Sequence, residues 1–272
     1  MNELFDGARV FLSLTFLIYA SWSDFKKREV SNTVWALFAP LAFALTSLQV
    51  YMVAFTSSPT FIQQTLYVYA LSFVLIFALS YILFYVGAFG GADAKALICI
   101  AIALPTYPIY FLRPQFEFIP PLFPLTVFSN GVLLASLSVA YATLRNLVWK
   151  FRTKKSLFEG FEIESNWRKT IALLCGYKVK SEELERGHLY PLEDINGADG
   201  KERKLVVIPK DEKREEIVER ILGAVCEGKI QNEIWVTPGL PLLVFITAGF
   251  LAALFLGDIV WVLLRSILMG SG

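Results

Sequence analysis

Long apolar runs, each closed by glycine, proline or a cluster of charges, constrain this chain more than any other feature. A helix needs about 20 predominantly apolar residues to cross the hydrocarbon core of a bilayer. The first run goes from about Val10 to Trp22 and is lengthened by Leu4 and Phe5, and the second covers Val34 to Phe55 with Pro40 inside it. The third covers Phe61 to Val86, and the fourth begins near Ala94 and stops before Pro105. The fifth runs from about Leu122 to Val148, and the sixth from Pro241 to about Leu264. No basic segment precedes the first run, and Ser23-Asp24-Phe25-Lys26-Lys27-Arg28 follows it in place of a small-residue cleavage site. It therefore reads as a retained span and not as a signal peptide. The hydrophobic fraction of 56% exceeds the roughly 45–50% of ordinary globular domains. The expectation is a mainly α membrane protein with six transmembrane helices.

Charge is segregated. Residues 151–237 hold 16 of the 25 Lys and Arg and 17 of the 24 Asp and Glu. The chain thus reads as helices one to five over 1–150, a small α+β cytoplasmic insertion over 151–237, and helix six over 238–272. Within the insertion, apolar spacing predicts a helix over Ser165–Cys175, a strand over Lys204–Pro209, a turn over 195–200 and a second helix from Asp211. Lys26, Lys27, Arg28, Lys95, Arg145, Lys150, Arg152, Lys154 and Lys155 fall on one side, against Arg9, Arg113 and Arg265 on the other. The positive-inside rule then places both termini outside and the insertion in the cytoplasm. The formal net charge of +1 points to no nucleic-acid partner. Cys99, Cys175 and Cys226 form no CxxC pair and His188 is the one histidine, so neither a metal nor another cofactor is expected.

Acids inside or bordering apolar spans are expensive and need a reason. Two meet that description on the cytoplasmic side, Asp24 at the end of the first run and Asp93 at the start of the fourth, within Gly87-Ala88-Phe89-Gly90-Gly91-Ala92-Asp93-Ala94-Lys95. Paired carboxylates cannot both ionise cheaply and share a proton, the arrangement that lets one act as base on water and the other as acid on a carbonyl. Charge and spacing leave a second reading open: Asp24 as an interfacial acid beside the basic cluster, and Asp93 as a first-turn acid stabilised by the helix dipole.

Gly90-Gly91-Ala92-Asp93 resembles the Gly-x-Gly-Asp signature of membrane aspartyl proteases, which include prepilin peptidases and presenilins. Ser23-Asp24-Phe25-Lys26-Lys27-Arg28-Glu29-Val30-Ser31-Asn32 resembles the first-aspartate segment of prepilin-type peptidases, and Gly91-Ala92-Asp93-Ala94-Lys95 their second, lysine included. Pro238-Gly239-Leu240-Pro241 is similar to the late segment of the archaeal preflagellin (prearchaellin) peptidases. At the third motif position Ala92 stands where the family has glycine, which raises the question whether a positive φ is needed there. Bifunctional bacterial members carry a cysteine-rich cytoplasmic segment and also methylate; without a CxxC pair that second activity is not expected here.

The resemblance implies a membrane aspartyl endopeptidase with Asp24 and Asp93 catalytic and Gly90, Gly91, Ala92 and Lys95 supporting the motif. Its substrates would be archaellin or type IV pilin-like precursors, cut after a short basic leader at the cytoplasmic boundary. Lys26, Lys27 and Arg28 read as topology determinants or lipid headgroup contacts. Glu159, Glu162 and Glu164 read either as a solvated face or as a patch that receives the leader. Three other readings stand beside the peptidase: a transporter or channel with proton- or cation-binding acids, a presenilin-like protease cutting within a helix, and a non-catalytic scaffold. The sequence sets no oligomeric state.

Overall fold

Local chemistry explains where each run starts and stops. Ser31 caps the second helix by accepting from the Thr33 N–H, and Ser58 caps the third by accepting from the Phe61 N–H, with Pro59 at its first turn. Arg28 ends the first helix in the left-handed region at φ 57°, its N–H returning 2.9 Å to the Asp24 carbonyl. The computed structural model describes residues 2–115, 120–184, 189–196, 202–206, 214–239 and 241–269. In chain order these form α1 (Asn2–Lys27), α2 (Asn32–Ala54), α3 (Pro59–Tyr85), α4 (Gly91–Ala103), α5 (Phe123–Thr153), α6 (Asn166–Cys175), β1 (Tyr177–Lys180), α7 (Ser181–Leu184), β2 (Leu189–Pro191), β3 (Glu193–Asn196), β4 (Glu202–Leu205), α8 (Arg214–Cys226), β5 (Glu233–Pro238), α9 (Leu242–Phe255) and α10 (Ile259–Met269). They make two compact units, residues 1–135 with 241–272, and residues 136–240.

The first unit is built around α4. Its Ala96, Leu97, Ile100 and Ala103 are fully buried, and α1, α2, α3 and α9 all pack against it. Thr46 of α2 donates to the carbonyls of Ile102 and Ala103, at 2.9 and 3.2 Å, and so satisfies free acceptors at the end of α4. Toward α4, α3 buries Ser72, Ile76 and Ser80 at helical spacing while exposing Leu71, Val74, Leu75 and Phe77. Small groups inside and large apolar ones outside are the pattern of a helix facing lipid.

By length and composition α1, α2, α3 and α5 can cross a membrane, and a fifth crossing follows if α9 and α10 are one broken span. This differs from the six runs expected at two places. The fourth run folds as 13 residues only, about 20 Å of helix against about 30 Å of hydrocarbon, because Pro105 and Pro108 bar its extension. The sixth run breaks at Leu256–Asp258 with a 66° bend. Gly257 sits at φ 88°, and the buried Asn130 donates to its carbonyl at 2.8 Å and accepts from the Ile259 N–H at 3.0 Å. One side chain thus replaces two lost helix bonds, the condition for a break at membrane depth. Asp258 accepts from the Trp261 N–H at 2.9 Å and caps the start of α10.

Helices α5 and α9 cross in near-backbone contact. A Cβ on Gly249 would stand 2.5 Å from the Gly131 nitrogen and 2.6 Å from the Val127 carbonyl oxygen, atoms that cannot turn aside. Gly249→Val is therefore expected to destabilise the chain by at least about 3 kcal/mol, read as a lowered melting temperature of the purified protein. Wild-type melting of that variant would mean the helices do not meet there.

In the second unit β5 is central in an antiparallel sheet of order β1-β5-β2, with Tyr177 opposite Val236 and Tyr190 opposite Thr237. β3 and β4 form a separate pair. Trp235 is fully buried and stacks on Phe158 at 5.1 Å. Glu193 accepts from Arg203 through both oxygens at 2.8 Å, a buried pair that also holds the Trp235 N–H. The expected helix over Ser165–Cys175 appears as α6. Of the expected strand, β4 covers Lys204 and Leu205, while residues 207–209 lie outside the described residues, as do His188, 197–200 of the expected turn, and Asp211. The acidic patch has structural partners: Glu162 accepts from the Gly160 N–H, which holds its carboxyl below the usual range, and Glu164 accepts from Arg168 and from the Leu205 N–H.

Candidate active site

Helix periodicity places Leu17, Ser21 and Asp24 on one face of α1, and that face meets the start of α9. Ser21 donates to the Leu243 carbonyl at 2.9 Å and shares a 2.7 Å bond with the Thr247 hydroxyl, while Thr247 donates to the Leu17 carbonyl at 3.4 Å. One turn further along stands the half-buried Asp24 carboxylate, on the side of α1 that faces the first turn of α9 and the Leu243 N–H. That N–H belongs to the first turn of α9, whose cap position is Pro241 and supplies no side-chain acceptor. Ser23 fixes the following turn by donating to the Glu29 carbonyl at 2.8 Å.

Asp93 is delivered by the break between α3 and α4. Gly87 takes φ 74°, and the N–H groups of Ala88 and Phe89 return to the Leu83 carbonyl, turning the chain back. Phe89 is buried and packs on Phe128 with ring centroids 5.9 Å apart. Gly90 caps α4, and Asp93 in the first turn accepts from the Gly90 N–H at 3.0 Å. Lys95, exposed on the next turn, donates at 2.6 Å to Asn32, the first residue of α2.

All the residues selected by sequence, Asp24, Gly90, Gly91, Ala92, Asp93 and Lys95, sit at one end of the helical body. Helices α1 and α4 pack together, and the two carboxylates lie within electrostatic reach of one another. Asp93 holds the Gly90 N–H at the start of α4, so for that residue the capping reading describes a real contact. It does not explain why two such acids stand at the same end of the helical body. Sequence reasoning misses Ser21, Thr247 and Leu243; the available signal is a small hydroxyl one turn before an acid in an apolar helix.

Ala92 lies within the regular α4 helix, and its φ is negative. No glycine is needed at this position, and the methyl packs on the core. The position that lacks room is Gly90, where a Cβ would stand 3.0 Å from the Asp93 Oδ2. Ala92→Gly is therefore expected to keep full activity, and Gly90→Ala to lower it about tenfold by displacing the carboxylate. Turnover measured on the two variants checks this, and the reverse order of effects would contradict the geometry.

Comparison with known proteins bears on the same segments. Residues 11–143, which contain both acids, match the type IV leader peptidase family, and residues 168–259 match the archaeal peptidase A24 C-terminus of type II. The chain belongs to the type IV leader peptidase family. A preflagellin peptidase of Methanococcus voltae is 29% identical over 252 residues, covering 91% of this chain and 94% of that protein. One from Methanococcus maripaludis is 27% identical over 250 residues, covering 89% and 92%. This family member is accordingly a membrane-embedded protease, and the leader-peptidase match supports cleavage of leader peptides. The second match spans α6 to α9, a region in which the sequence motifs offer little specific evidence before Pro238.

Proposed function

We propose that Asp24 and Asp93 form an aspartyl dyad that removes the short basic leader from archaellin or type IV pilin-like precursors. The observation that carries this reading is the convergence of two half-buried acids, from the last turn of α1 and the first turn of α4, at one end of the helical body. Two close carboxylates share one proton. The ionised member takes a proton from water as the oxygen attacks the scissile carbonyl carbon, and the protonated member gives its proton to the carbonyl oxygen. The tetrahedral diol then collapses: one of its hydroxyls gives a proton to the ionised acid, the other acid protonates the amine nitrogen as the C–N bond breaks, and the dyad again holds one proton. The Gly90 N–H holds the Asp93 carboxylate in place, and Ser21, Thr247 and Lys95 act as positioning residues.

The body makes six crossings in this reading, with α4 and the irregular segment after it as one and the bent α9–α10 pair as another. Residues 151–237 form the cytoplasmic insertion between the fifth and sixth crossings, both termini face outside, and the dyad lies at the cytoplasmic boundary, where a basic leader meets an apolar helix. The names of the Methanococcus relatives support the substrate class. The test is co-expression with an archaellin precursor, with the new N-terminus read by mass spectrometry. Cleavage between leader and apolar helix is expected, and a precursor left intact by a well-folded enzyme overturns the substrate assignment. Labelling of the exposed Cys175 from the cytoplasmic side only is expected in the same cells.

A further inference from the structure

The opposite end of the helical body holds a second polar site that the peptidase chemistry does not use. Asp6 and Arg9 lie on α1 eighteen and fifteen residues before Asp24, the former about 27 Å away along the axis. Both are buried, 2% exposed each, and Arg9 Nη2 donates to Asp6 Oδ1 at 2.6 Å. Asp6 also accepts from Gln49 Nε2 at 3.1 Å and from the Tyr110 N–H at 3.3 Å. The balance is one-sided: the carboxylate is met by three donors, whereas Arg9 Nε and Nη1 have no acceptor among the described residues. Gln49 Oε1 is likewise without a donor. Arg9, Asp6 and Gln49 line a cavity of about 410 Å³, within the roughly 300–1,000 Å³ of small-molecule sites. The rest of the wall is largely apolar, including Val50 and Val53 of α2 and Ile62 of α3.

We propose that this cavity binds a phosphate-bearing amphiphile. Its phosphate oxygens accept from the free Arg9 donors, a hydroxyl on the head donates to Gln49 Oε1, and the chain lies along Val50, Val53 and Ile62. Guanidinium is the side chain best suited to phosphate oxygens. A buried cation left with unmet donors is costly, so acceptors are what the site lacks. The chemistry of the head is shared by a membrane phospholipid and a free glycerol phosphate; the apolar wall favours the lipid.

The full chain in lauryldimethylamine oxide micelles tests this by thermal melting, with dioleoyl phosphatidylglycerol, dioleoylglycerol or sn-glycerol 1-phosphate added. Phosphatidylglycerol is expected to raise the melting temperature by about 5 °C, and dioleoylglycerol, which lacks the phosphate, by less than about 1 °C. A shift from glycerol phosphate equal to that of the lipid keeps the site and identifies its ligand as the free anion; a smaller one identifies the lipid. Thr65→Trp, which fills the cavity from α3 without touching the ion pair, and Asp6→Asn/Arg9→Gln, which keeps the pair neutral, are both expected to abolish the shift. If the double variant does not fold, Thr65→Trp decides alone. An undiminished shift in Thr65→Trp, an equal shift with dioleoylglycerol, or no shift with either phosphate probe overturns the proposal.

Discussion

Asp24→Asn and Asp93→Asn are each expected to abolish leader removal, lowering turnover by at least about a thousandfold, while the protein still inserts, folds and melts close to wild type. Asparagine keeps the shape of aspartate and an oxygen that can accept from the Leu243 or Gly90 N–H. It is also a good residue at helix starts. Were the two acids only caps, both variants would be nearly silent. What asparagine cannot do is hold or take the proton that hydrolysis moves. The substitution therefore separates the two readings that sequence and geometry leave side by side. Members of a catalytic unit are strongly non-additive, so the double variant should be no worse than either single one. The measurement is the fraction of precursor processed at matched enzyme level. Processing above a few per cent of wild type by either single variant would remove that acid from the chemistry.

Much of this site is legible in the sequence because its chemistry is local there. Gly87, Gly90 and Asp93 lie within one break between helices, and the cost of an acid beside an apolar run marks both Asp24 and Asp93. What the sequence does not contain is the partner across space. Ser21 and Thr247 stand 226 positions apart, and nothing in either segment announces that α9 begins against Asp24. The helical body is legible in its apolar runs, but its depth is not. Apolar composition reads the run from near Ala94 to before Pro105 as the fourth span, whereas it folds as a 13-residue helix buried among α1, α2, α3 and α9. The break at Gly257 is hidden for a related reason, because the residue that makes it tolerable, Asn130, comes from another helix. Ala92 shows the opposite failure. A motif comparison marks it as a departure, and the backbone there is plain right-handed helix.

The other large effect is expected far from the dyad, at charges that sequence position alone classes as terminal or as a loop determinant. Arg9→Met is expected to destabilise the protein by about 3–5 kcal/mol and to lower its melting temperature by about 10 °C. Asp6 and Arg9 have side chains only 3% exposed, and removal of the guanidinium strands a carboxylate among apolar neighbours with the Gln49 amide and one backbone N–H for company. The loss is mainly the penalty of an uncompensated buried charge rather than the net worth of the pair. Removal of both charges should therefore restore most of the stability. Asp6→Asn/Arg9→Met is expected to melt within a few degrees of wild type, because the asparagine amide oxygen still accepts from the Tyr110 N–H, its NH2 donates to the Gln49 amide oxygen once that amide turns over, and methionine fills the space of the arginine stem. Melting curves of the single and double variants in one detergent measure the difference. A single variant as stable as wild type would mean that Asp6 is hydrated, and a double variant as unstable as the single would mean that Arg9 acts through packing and not through charge.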